Sequence, residues 1–157
     1  MTFTFFWSVA LFMILSFAVT KRKLHFFEVF LLWVFVLAVL NNVIWLVGLN
    51  AKLILYSQNM GDFQALDALR SVIIPLFIIL FIEIILVEEK KSRQLFYWVG
   101  TIFLLVGIEY MADFIGVINH IATWQWWWSF AWWTAFVLLS YAMHRLIRRI
   151  AIKDVRI

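Results

Sequence analysis

Glu109 and Asp113 are the residues whose type and spacing most plainly invite chemistry: two carboxylates one helical turn apart in a strongly apolar stretch. Lipid cannot solvate a carboxylate, and insertion-based scales put each at a cost of about 2.5–3.5 kcal/mol near a helix centre. About ten apolar residues, at roughly 0.3–0.6 kcal/mol each, are needed to offset the pair. Acids kept at that cost mark a functional site by default. Desolvation and mutual repulsion both oppose double ionisation, so the pair would share a proton unless a cation binds. Two functional readings follow, a cation or amine site and a proton-exchange site. The competing reading is structural: both acids accept hydrogen bonds from Asn, Ser or Trp groups and hold helices together.

At 100° per residue, Trp98, Ile102, Leu105, Glu109, Asp113, Gly116 and His120 fall on one stripe. Asn41 and Asn42 reach a similar depth on another apolar segment, as do Gln125 and Ser129 on a third. Trp124, Trp126, Trp127 and Trp128 suit an interfacial aromatic belt. Trp132 and Trp133 lie up to about 12 Å deeper at 1.5 Å per residue, where buried indole N–H groups need acceptors that the acids can supply. Indole faces beside acids would also suit an organic cation. The candidate ligand or proton site is therefore Glu109 and Asp113 for charge, with Asn41, Asn42, His120 and Gln125 for orientation and Trp128 and Trp132 as walls.

Other chemistries find little support. Glu109, Asp113 and His120 form no HExxH or comparable ligand motif, so no metal site is assigned. No serine sits in a nucleophile elbow, and no lysine lies mid-span to carry a retinal Schiff base. Enzymatic activity is not expected, a lipid-modifying reaction ranks third, and no cofactor is implied. His25 and Glu28 form an i, i+3 pair read as locally paired or solvated, and Glu83 is read as snorkelling towards the surface.

These residues must be positioned by membrane helices. The chain has 157 residues, of which 66% are hydrophobic and only 14% charged, with a mean hydropathy of +0.99. One globular core cannot absorb that excess. The expected fold is an all-α integral membrane protein with five transmembrane helices at about 2–20, 24–49, 71–87, 95–118 and 122–143. The segment 62–70 is expected to be a short interfacial helix or an amphipathic extension of the third span. Residues 144–157 form a basic tail suited to anionic headgroups. The basic residues follow the first span, so it reads as a retained helix rather than a cleaved leader. Eleven of the thirteen Lys and Arg residues lie at 21–23, 90–93 and 145–156, and only Lys52 and Arg70 fall in the opposite loops. That asymmetry puts the N-terminus outside and the C-terminus in the cytoplasm. The net charge of +4 thus belongs to a membrane surface, and no nucleic-acid partner is expected. The lipid bilayer is the first partner, with a membrane protein or a second copy of the chain as a further one.

Several stretches together resemble a family of small, tryptophan-rich membrane proteins found mainly in endospore-forming Firmicutes. They are Leu55-Tyr56, Pro75-Leu76-Phe77, Glu109-Tyr110, and Asn119 through Trp124, Trp126 and Trp128. The resemblance covers most of the chain and implies about five helices in a bacterial cytoplasmic membrane, with no established activity. Ser57 stands where the family pattern has proline after Tyr56. The aromatic content is also similar to that of the tryptophan-rich sensory (translocator) proteins, but their proline-rich first-helix signature is absent.

Overall fold

The computed structural model describes residues 2–19, 23–57, 59–121 and 123–154. Within them the protein is a helix bundle with two three-residue strands. Helix α1, Thr2–Val19, is an apolar run with no Gly or Pro to interrupt it. Helix α2, Phe26–Val43, starts where Glu28 reaches back to accept from the backbone N–H of His25 at 2.9 Å, one half of a capping box. It continues as a π-helical segment, Ile44–Asn50, and the chain then turns through Lys52 (φ 52°) into strand β1, Ile54–Tyr56.

Asn59 starts helix α3, Met60–Ala68, by accepting from the Gly61 N–H at 3.1 Å. A π-helical turn, Leu69–Ile73, carries it into α4, Ile74–Val87, so Met60–Val87 is one helix of 28 residues. Pro75 lacks an N–H, which deprives the Ser71 carbonyl of its α-helical partner. The indole N–H of Trp33 on α2 donates to that carbonyl at 3.0 Å and ties the two helices together. Helix α5, Lys91–Ile115, ends at Gly116, whose φ of 86° admits no ordinary side chain without strain. The Val117 N–H closes this end on the Ala112 carbonyl at 2.9 Å, and strand β2, Ile118–His120, follows. Helix α6 runs 29 residues, Trp126–Asp154.

Helix α4 is the centre of the bundle. It packs against α1, α2, α5 and α6, and its Leu76, Ile78, Ile79, Phe81 and Ile82 are buried. Helix α3 lies along α1, and α6 packs against both α2 and α5. Strands β1 and β2 pair antiparallel, with Ile54 opposite His120 and Tyr56 opposite Ile118. They thereby clasp the loop after α2 to the loop after α5. Outward faces carry Phe12, Leu15, Phe26, Phe30, Phe96, Phe103 and Phe114, far more apolar surface than water tolerates. Among the described residues, four helices are long and apolar enough to cross a membrane: Thr2–Val19, Phe26–Gly48, Met60–Val87 and Lys91–Ile115. Tryptophans at the start of α6 and arginines near its end lower its hydropathy.

Of the two expectations for 62–70, a helical extension of the third span is the one seen: Asn59 begins a helix that buries Ala65, Leu66 and Leu69 and runs on to Val87. One expected boundary differs. The tail expected from 144 is helical to Asp154, since the buried stripe of Ser140, His144 and Ile147 continues past residue 143. Thr20, Ala122 and residues 155–157, which touch the expected span ends and tail, lie outside the described residues.

Candidate functional site

Glu109 is buried, and its carboxylate is met by three side chains from two elements, β2 and α6. The Trp133 indole N–H donates to Oε2. On Oε1, the Ser129 hydroxyl donates at 3.0 Å and His120 Nε2 lies at 2.9 Å. Ser129 in turn accepts from the Trp124 indole at 3.0 Å, which orients its own proton towards the acid. Helical spacing explains the α6 donors: Ser129 and Trp133 are four residues apart and share the face turned to α5.

His120 reaches the acids by a different route from the one its sequence position suggests. It does not extend the α5 stripe, because the helix stops at Ile115 and Gly116 turns the chain back. Strand β2 then lays His120 against the end of α5, where its backbone N–H donates to Asp113 Oδ1 at 3.0 Å. Its ring lies between Tyr110 and Trp124, with centroids 5.8 and 5.1 Å away. Nδ1 faces Asp113 Oδ2 at 3.4 Å, outside hydrogen-bond geometry. Among the described residues it is the only buried side-chain nitrogen or oxygen without a partner. Burial pulls the imidazole pKa down, but the hydrogen bond to Glu109 and the nearby carboxylates of Glu109 and Asp113 overcome it, so the pKa is raised.

Beside this cluster lies a cavity of about 290 Å³, walled by α2, the β1 segment, the α3–α4 turn, α5 and α6. Leu40, Val43, Ile44 and Val47 line one side, and Trp124, Trp128, Trp132 and Trp133 line the other. Only Tyr56, Arg70 and Glu109 are polar or charged. The Arg70 guanidinium is held by Asp67 Oδ1 at 2.8 and 3.0 Å. The Tyr56 phenol is pushed up to about 12, chiefly by burial, with Glu109 adding to the rise and Arg70 opposing it. The Tyr56 ring covers Gly48 so closely that a Cβ there would strike Cε2.

The sequence-derived site is thus only partly assembled. Glu109, Trp128 and Trp132 line the cavity, while His120 and Asp113 stand behind Glu109. Asn41 and Asn42 do not join them: both are exposed, and Asn42 Nδ2 donates to the Ala38 carbonyl of its own helix at 2.8 Å. Helix α2 turns Leu40, Val43, Ile44 and Val47 inward, and residues 41 and 42 project about 100° and 200° past Leu40. Gln125 is also exposed, accepting from the Trp127 indole. Tyr56, Arg70 and Trp124 also line the cavity, and nothing in their sequence spacing singles them out. The nearest signal is Gly48 with Tyr56, a small residue and an aromatic, but strand β1, which brings Tyr56 back over Gly48, is too short to read from its pattern. Comparison with protein-family models, curated proteins and solved structures gave no match to this chain.

Proposed function

We propose that this is a five-span membrane protein that binds a small, predominantly apolar solute in the cavity between α2, α5 and α6. Helix α6 supplies the fifth span, with the N-terminus outside and the C-terminus cytoplasmic. The charge pattern supports that orientation, since the basic residues gather where α4 meets α5 and where α6 ends. The resemblance supports a bacterial cytoplasmic membrane. The observation that carries the binding reading is the cavity itself, largely apolar, aromatic on one side and furnished with three polar groups, the usual make-up of a small-molecule site. A cation or amine is the less favoured occupant. The oxygens of Glu109 are already taken by Trp133, Ser129 and His120, and Arg70 adds a positive charge to the wall. Passage of the solute through the membrane would use the same cavity.

Iodobenzene tests the reading, because its heavy atom quenches tryptophan fluorescence. Saturable quenching of wild type that is lost in Val43→Phe, which fills the cavity, is the expected result. Linear, non-saturating quenching in both proteins would show only partition into lipid and would defeat it.

One observation favours a second reading, an accessory subunit whose acids only lock helices. Asn41 is exposed on α2, and its side chain has no hydrogen-bond partner among the described residues. An amide on a lipid-facing surface seeks a neighbouring helix. Loss of a copurifying partner or of dimers in Asn41→Leu, with iodobenzene binding absent from wild type, would favour it.

A further inference from the structure

We infer that a proton held between His120 Nδ1 and Asp113 Oδ2 closes the outer end of the cavity, so that access of solute is linked to release of that proton. The inference rests on the cavity being a solute site and adds what governs it. The geometry requires the proton. Nε2 is engaged with Glu109 at 2.9 Å, which leaves Nδ1 buried and facing a carboxylate oxygen at 3.4 Å. Without a proton between them, a nitrogen lone pair confronts an oxygen lone pair, and two carboxylates stand beside a neutral ring. With it, the imidazole ring bridges Glu109 and Asp113.

The clasp converts that local event into a change at the cavity. His120 lies in β2 opposite Ile54, and Leu53, Ile54, Tyr56 and Ile118 of the clasped segments all line the cavity. The Ile121 N–H extends the pairing to the Leu53 carbonyl at 3.2 Å, and the Ser57 N–H extends it to Val117 at 3.3 Å. Three backbone residues per strand form too small a ladder to stand alone, so the hold of His120 on α5 decides whether it stays shut. The groups facing His120 are Glu109, Asp113 and the Tyr110 ring from α5, the Trp124 ring, and Ser129 and Trp133 from α6 through their shared acid. On the β1 side, Tyr56 faces the cavity with Arg70, and Lys52 is exposed. None of these supplies another donor to Nδ1. On closing, one proton passes from the outer water to the pair, and on opening it returns there.

The sign follows from the ring. A histidine whose pKa is raised by folding contributes its full hold below about pH 6.5 and loses it as pH rises through the raised value. The chain has no cysteine, so one introduced thiol reports alone. Full-length Val47→Cys, in the cavity wall, is labelled with a charged maleimide in liposomes between about pH 6 and 9. Exposed Ala51→Cys corrects for ionisation of the thiol itself. The expected ratio of the two rates rises with pH, by up to about tenfold per unit where one proton is lost. In His120→Gln the ratio is flat. In Asp113→Asn, whose amide can donate to Nδ1, it is flat and low. A flat wild-type ratio, or a rise that survives in both variants, overturns the proton link. A thiol at 47 unreactive at every pH, in wild type and in His120→Gln alike, overturns it as well. Iodobenzene binding at fixed pH separates the two failures: retained, it leaves the solute site standing without its proton, and lost, it removes both.

Discussion

Two buried glutamates at opposite ends of the bundle are satisfied in opposite ways. Glu83, near the basic end of α4, accepts from two consecutive backbone N–H groups, Lys23 at 2.9 Å and Leu24 at 3.0 Å. Its partners are main chain, and its effect is to fasten the α1–α2 connection to α4. Glu109, near the clasped end of α5, accepts from side chains of His120, Ser129 and Trp133, and it lines a cavity. The same residue type at similar burial is therefore a fastener in one place and the organiser of a wall in the other. Burial of an acid in a membrane does not by itself distinguish the two; the kind of donor and the space beside it do.

The largest expected effect is the one that separates them. Glu109→Ala strands an indole, a hydroxyl and an imidazole, and removing one member of a buried charged pair costs about 3–5 kcal/mol. Thermal unfolding in detergent should show that loss together with loss of iodobenzene binding. Glu83→Ala strands two backbone donors, at about 1–3 kcal/mol each, and should lower the unfolding temperature while binding persists. If both variants lose binding in proportion to stability, the contrast dissolves.

The next effect sharpens the cavity side. A Cβ at Gly48 would meet the Tyr56 ring, and overpacking of this kind costs about 1–3 kcal/mol. Gly48→Ala should displace β1 and weaken iodobenzene binding more than it lowers stability, as read by titration against an unfolding curve. The smallest effect tests the turn that returns His120 to α5. Nothing lies within 4 Å of a Cβ built on Gly116, so the penalty for Gly116→Ala is the backbone's own, about 1–2 kcal/mol at positive φ. It should appear in stability and leave the binding constant within about twofold, less than 0.5 kcal/mol.

What was legible in the sequence follows from the physics of each feature. Long apolar runs with loops between them announce membrane-capable helices, because hydropathy is a local sum. The need of deep indoles for acceptors was legible too, and Trp133 does donate to Glu109. The inward face of α2 was not, since Asn41 and Asn42 sit one and two residues past the buried Leu40, and only the packed neighbours decide which side is inside. The role of Glu83 was hidden because its partners are backbone groups some 60 residues away. The path of His120 depended on Gly116 ending α5 early, whereas the stripe reading carried the helix straight on.

The central claim is that the space beside Glu109 holds a small apolar molecule. Anomalous diffraction from crystals grown in lipid and soaked with iodobenzene tests it most directly. An iodine peak is expected between Val43 of α2, Val47 of its π-helical continuation, and Trp128 and Trp132 of α6, within reach of Glu109. A cavity closed by repacked tryptophans, with iodine only on the lipid-facing surface, would contradict it.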